Sequence, residues 1–251
     1  MDSIEFIIYT LLTLLIAFIG YIIYDNYTYK NNLTSDLNKN IKDKGLNNFD
    51  IVYYINLEHR KDRYIHINNE LSKTNIDPNK INRIDAIYDI NKGYVGCSKS
   101  HILALEAFIN TPDEIQNCII LEDDFIFTEE QDDINNLINL FFENVETYDV
   151  LMLSSNTLNE TKTILPFITK INDAQTLSGY CVSKKFAPIL LDNYRSGVEK
   201  LESIGTCDLY CVDMYMKILQ PKSLWFCLNP KIGKQKISYS DIQKTVVSYN
   251  C

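Results

Sequence analysis

From Phe6 to Tyr24 the chain reads FIIYTLLTLLIAFIGYIIY, nineteen residues without a charge. At a helical rise of about 1.5 Å per residue this run is roughly 29 Å long, close to the hydrocarbon thickness of a bilayer. Its flanks do not suit a cleaved signal peptide: Asp2 and Glu5 precede it, and it leaves through Tyr-Ile-Ile-Tyr-Asp. Tyr21, Tyr24, Tyr27 and Tyr29 are placed as an interfacial aromatic belt. The pattern therefore predicts a single-pass membrane anchor over 1–24. Residues 25–48 are polar and rich in Asn and Lys, which predicts a stalk. A globular domain is expected over 49–251.

Within that domain, short β-branched and aromatic runs alternate with stretches of helical spacing. Strands are predicted over Ile51–Leu57, Ile81–Ile87, Cys118–Leu121, Val150–Leu153, Gly179–Ser183 and Leu224–Leu228. Helices are predicted over Arg63–Lys73, Ser98–Asn110, Ile134–Val145, a segment running to Leu191, and Asp208–Leu219. This order predicts an α/β fold with a mainly parallel central sheet, whose ligands bind beyond the carboxyl ends of the strands.

Composition narrows the function classes. The chain has 33 acidic and 24 basic residues, a net charge of −9, which argues against a general nucleic-acid binder. Lys30, Lys39, Lys42 and Lys44 all follow the apolar run and no basic residue precedes it. The positive-inside rule then favours a cytosolic body, with a lumenal one as the alternative. Sequons at Asn26, Asn32 and Asn159 carry little weight in a chain so rich in Asn, Ser and Thr. The seven cysteines include no C-x-x-C, and most read as small buried hydrophobes.

Three polar clusters fall at predicted strand ends or helix starts. Glu122-Asp123-Asp124 directly follows Ile119-Ile120-Leu121. Hard carboxylate oxygens so close together suit Mg²⁺ or Mn²⁺, although a solvated acidic turn has the same sequence. Arg60 and Arg63, after Asn56, suit a diphosphate or merely an exposed charged loop. Gly93 to His101 opens a helix, with Ser98 and Lys99 placed either to hold an anion or, for Ser98, to cap the helix. Trp225, in a predicted strand, reads as core.

Together these segments resemble glycosyltransferase family 25, which includes lipopolysaccharide-biosynthesis and collagen galactosyltransferases. The likeness rests on IVYYINLEHRKDR, INRIDAI, GYVGCSKSH, IILEDDFIF, YDVLMLSS, GYCVSKKFAPILL and VDMYMKIL, then Pro230, Gln235 and Ser240-Asp241-Ile242, in family order. It implies a GT-A-like single domain, a UDP-sugar donor, a divalent metal (Mn²⁺ or Mg²⁺), and inverting transfer of galactose or glucose to a hydroxyl acceptor. That acceptor would be a glycan, a lipid-linked sugar or a protein. By position, Asn56, Arg60 and Arg63 would lie near the nucleotide and Asp85 would face its base or ribose. Ser100 and His101 would stand near the donor, and Glu122, Asp123 and Asp124 would hold the metal. Asp213 would be the base, with Asp208 as rival; five residues apart on one helix, only one of the two should face the site. Leu177 to Tyr180 would lie toward the acceptor. His59, His66 and His101 are the only histidines. The C-terminal metal-binding His of many GT-A enzymes is thus missing, and Gln235 or a water would stand in. The alternatives are a catalytically silent membrane interaction module and a nucleotidyltransferase of similar build.

Overall fold

The structure, a computed structural model, describes residues 18–21, 24 and 44–248. The chain divides into two compact units, Met1–Lys42 and Asp43–Cys251. In the first, residues 18–21 and 24 are helical. The predicted anchor lies mostly outside the described residues, as does most of the stalk. Among the described residues, no helix is long and apolar enough to cross a membrane.

The second unit is built on an eight-stranded sheet. Its strands are β1 (Ile51–Asn56), β2 (Ile81–Asp85), β3 (Asn117–Glu122), β5 (Val150–Met152), β6 (Asn156–Lys162), β7 (Ile168–Gln175), β8 (Gly179–Ser183) and β9 (Trp225–Leu228). They lie in the order β2-β1-β3-β8-β5-β9-β7-β6. β8 and β7 run against the other six, which share one direction. The sheet is therefore mixed, though most of its strands are aligned. The long hairpin β6–β7, absent from the predicted elements, supplies one reversal; its outer strand is largely exposed and polar, so it gives no apolar run to recognise.

Alternation along the strands sorts the core into two layers. On one face Tyr53, Ile55, Ile120, Val150, Met152, Tyr180 and Val182 pack with α2 (Gly93–Ile109) and α4 (Ala187–Ile204). Val52, Tyr54, Ile119, Leu121, Leu151 and Cys181 pack on the other face with α1 (Lys61–Ser72) and α3 (Gln131–Asn144). Trp225 is fully buried with its ring edge-on to Phe186, as expected of a core residue. Cys118, Cys181 and Cys227 are buried without disulfides, but Cys207 and Cys211 are bonded to each other. That pair interrupts the predicted helix over Asp208–Leu219. It is two short helices, α5 (Cys207–Tyr210) and α6 (Val212–Tyr215), followed by 3₁₀ turns.

Two small ribbons complete the unit. β4 (Phe125–Phe127) pairs with β10 (Gly233–Gln235), and β11 (Ser238–Ser240) pairs with β12 (Thr245–Val247). In the first of them, the buried Phe125 ring fills space that only glycine leaves open. A Cβ at Gly179 would lie 2.3 Å from this ring, and one at Gly233 would lie 2.1 Å from it. The ring thus fixes the strand that follows Asp124 against β8 and β10. Gly233→Ala should destabilise the chain by about 1–3 kcal/mol through overpacking, and Phe125→Leu in the same chain should restore part of the loss. Urea denaturation midpoints check this; an unchanged midpoint for Gly233→Ala would refute it.

Candidate active site

Strands β1, β2 and β3 are parallel and end together, at Asn56, Asp85 and Glu122. β3 delivers Glu122 to this edge, and Asp123-Asp124 turns the chain into β4. Pairing of β4 with β10 sets Gln235 opposite Phe125, and Gln235 Nε2 donates to Asp124 Oδ2 at 3.1 Å. A cavity of about 380 Å³ opens here. Arg63, Cys97, Ser100, His101 and the three acids line it on one side. Residues 86–90 and the β11–β12 ribbon line the other.

Charge in this site is unevenly matched. Arg63 Nη1 donates to Asp123 Oδ1 at 2.8 Å and lies 3.0 Å from Asp124 Oδ2. Its Nη2 donates to Ser238 Oγ and to the Tyr239 carbonyl, both at 2.9 Å. Buried Asn56 completes the shell of Asp123, donating to Oδ2 at 2.7 Å. Two carboxylates thus share one guanidinium. Burial pushes the Asp123 carboxyl up, and Arg63 and Asn56 offset this only in part. Burial and the Glu122 charge push Asp124 up to about 7. Glu122 is half-buried, which pushes its carboxyl up, but the bond and charge of His101, with Arg63 and Cys97, outweigh that and hold it below the ordinary value.

The donor set discriminates among the predicted metal ligands. Asp124 Oδ1 is buried with no hydrogen-bond partner, a group that a hard cation would satisfy. Asp123 fits that role poorly, because both oxygens are engaged. Glu122 turns toward α2, where its Oε1 lies 3.2 Å from His101 Nε2 and 3.7 Å from Cys97 Sγ.

Residues 78–204 match glycosyltransferase family 25 (LPS biosynthesis protein). The chain belongs to glycosyltransferase family 25. Glycosyl transfer is accordingly the activity its fold serves. The match runs from β2 to α4 and so includes the acidic run and α2. No curated protein matches the chain. Two solved structures resemble it weakly. The A197 protein from STIV gives a TM-score of 0.40 at 13% identity, covering 80% of this chain and 94% of that one. Mouse xyloside xylosyltransferase 1, apo form, gives 0.31 at 12%, covering 67% and 68%. At these scores neither bears on fold or function.

Several expected family 25 positions stand elsewhere. Asp85 is on the surface, its side chain 84% exposed and paired with Arg83 at 3.0 Å, so it does not face the cavity. It is the one exposed position of β2, whose other four residues are half-buried. Arg60 does not line the cavity either; it joins Asp62 and Asp241, tying the start of α1 to the loop after β11. α2 begins at Gly93, five residues earlier than predicted, so Gly93 and Gly96 lie within its first turn rather than before it. Ser98 is not its cap but bonds back to the Tyr94 carbonyl at 2.9 Å. Lys99 faces outward to Glu202, away from any anion site. Ser100 holds the 86–90 loop, accepting from Ile87 N at 2.8 Å. Leu177, Ser178 and Tyr180 are buried. Asp208 is exposed on α5. Asp213, on α6, is half-buried, accepts from Thr176 N at 3.4 Å and acts electrostatically on Cys97 and Glu122. Burial pushes its carboxyl up.

Sequence reasoning missed the contact of Cys97 with Glu122 and the covering ribbon β11–β12. Spacing of i, i+4 sets Cys97 beside His101 once the helix is extended back to Gly93, but nothing local points to Glu122. The ribbon strands are three residues each, too short for a periodicity signal. Arg63→Met should cost about 3–5 kcal/mol, because it leaves two buried carboxylates without their cation. Adding Asp123→Asn should return part of that loss. Denaturation of both variants checks this, and a neutral Arg63→Met would overturn the assignment of Arg63 as the clasp.

Proposed function

We propose that this chain transfers a hexose, galactose or glucose, from a UDP-sugar to a hydroxyl on a glycan, lipid-linked sugar or protein. The observation that carries this reading is the cavity at the carboxyl edge of β1–β3, walled by an acidic run with one guanidinium, in a family 25 chain. Its volume falls in the range of small-molecule sites. Ile87, Tyr88, Ile90 and Ile242 give it an apolar wall suited to a nucleobase. Asp124 would hold a divalent cation such as Mn²⁺, which would supply charge neutralisation at the departing diphosphate. Asn56 acts through Asp123, keeping it aimed at Arg63. The strand arrangement, with β8 reversed at the centre, is compatible with a GT-A-like fold.

In this reading Asp213 takes the acceptor proton as the hydroxyl attacks in line, and the sugar inverts. A carboxyl raised by burial suits a general base. The uncharged run 6–24 anchors the enzyme to a membrane. The Lys flanks favour a cytosolic body, whereas the Cys207–Cys211 disulfide favours an oxidising lumenal side. Of the two, the disulfide bears more directly on the folded domain. A catalytically silent module is the second reading; it draws on Arg63 and Asp123 already satisfying each other.

The purified full chain with UDP-galactose or UDP-glucose and Mn²⁺ should bind donor by calorimetry and release UDP slowly without acceptor. Absence of binding for every nucleotide sugar would sink the proposal, and tight binding without turnover on any acceptor would favour the silent module. Asp123→Ala with Asp124→Ala should abolish metal-dependent donor binding. Asp213→Asn retains an acceptor for Thr176 N, so it should lower kcat by about 10²–10⁴-fold with little change in melting temperature. Asp208→Asn should leave kcat unchanged. The configuration of the product, read by NMR, tests inversion.

A further inference from the structure

Three side chains of different chemistry converge on one wall of the cavity. Cys97 and His101 are one turn apart on α2, and Glu122 ends β3. One donor atom from each lies within 4.8 Å of the other two. Cys97 Sγ is 3.7 Å and His101 Nε2 is 3.2 Å from the same oxygen, Glu122 Oε1. All three residues line the cavity. A tetrahedral ion with a sulfur at about 2.3 Å and nitrogen and oxygen at about 2.0–2.1 Å separates its ligand atoms by roughly 3.3–3.6 Å. The two short separations here are already near that spacing.

We propose that Cys97, His101 and Glu122 form a binding site for a borderline transition-metal ion of the zinc class, open to the cavity on its fourth side. The donor set selects the ion: thiolate and imidazole suit Zn²⁺ or Co²⁺, whereas Mg²⁺ prefers oxygen alone. The ligands are held from outside. Tyr180 OH lies 3.2 Å from His101 Nδ1 and, as both donor and acceptor, orients the ring in either tautomer. Glu122 N donates to the Ser178 carbonyl at 2.8 Å, which fixes the end of β3. On binding, the Cys97 S–H and His101 Nε2–H bonds give way to bonds to the metal; the thiol proton leaves to solvent, and the neutral imidazole carries its one proton on Nδ1, donated to Tyr180 OH. The site goes beyond the donor reading, because a hard cation at Asp124 requires no sulfur.

The test is titration of the full chain with Co²⁺ alone, without oxygen. One equivalent should bind with near-ultraviolet thiolate-to-cobalt absorption and the visible bands of a tetrahedral ion. Zn²⁺ should bleach both, and millimolar Mg²⁺ should not. Cys97→Ser should lose the thiolate absorption while melting like the parent in the absence of metal. His101→Gln should weaken Co²⁺ binding at least tenfold. Failure to bind Co²⁺, binding without thiolate absorption, or absorption that survives Cys97→Ser would each overturn the proposal. Calorimetry with UDP-sugars on the same preparation separates the two ideas: donor binding without thiolate absorption defeats this site alone.

Discussion

Arg63 is the hinge on which the site hangs. One guanidinium, mostly buried, meets Asp123 and Asp124 with one nitrogen and the β11–β12 ribbon with another. Such forks suit Arg because its planar donors match carboxylate and carbonyl geometry at fixed angles. Without it, two buried carboxylates would face each other with no fixed cation, and β11 would lose its bonds to α1, leaving Arg60 and Asp241 to tie the ribbon to the helix start. Asn56 and Gln235 then hold one oxygen each of the two acids, so the acidic turn is shaped from three directions.

The positions where the chain is buried on both faces of the sheet were the most legible. β1, β3, β5 and β8 read as continuous apolar runs because helices cover both of their faces, and their predicted bounds differ from the observed ones by a residue or so. α3 carried Ile134, Ile138 and Phe141 at helical spacing and was equally plain. Legibility failed where tertiary contacts override local pattern. Nothing in Asp208–Leu219 announces that a Cys207–Cys211 bond will divide it, since i, i+4 cysteines also fit a continuous helix. Gly93 begins α2 although glycine is a poor helix former; a Cβ there would lie 3.3 Å from Ile242 of the C-terminal segment.

The site was legible in its parts and less so in its wiring. Arg63, His101 and the acidic run do meet at one cavity, as strand-end placement suggested. Their partners could not be read, because hydrogen-bond direction depends on rotamers and on segments far away in the chain. Asp85 shows the limit: at the exposed end of the half-buried strand β2, a carboxylate expected to face a nucleotide turns to solvent and Arg83. Thr176 shows another. Its φ of 73° is unusual for a non-glycine residue, and Asp213 receives its N–H there. Asp213 thus holds the backbone at a residue of unusual conformation.

The long reach of the Arg63 and Arg60 bonds bears on how the molecule comes into being. They join residues 175 to 181 positions apart, while the central sheet is already framed by segments between them. Loop-closure entropy makes such distant contacts late ones during folding. Synthesis must proceed past Asp241 before the cavity has its second wall. The sheet can collapse around its core beforehand, so a chain halted near Leu228 would hold most of its buried strands and yet lack the pocket. Formation of the cavity is thereby coupled to synthesis of the β11–β12 segment.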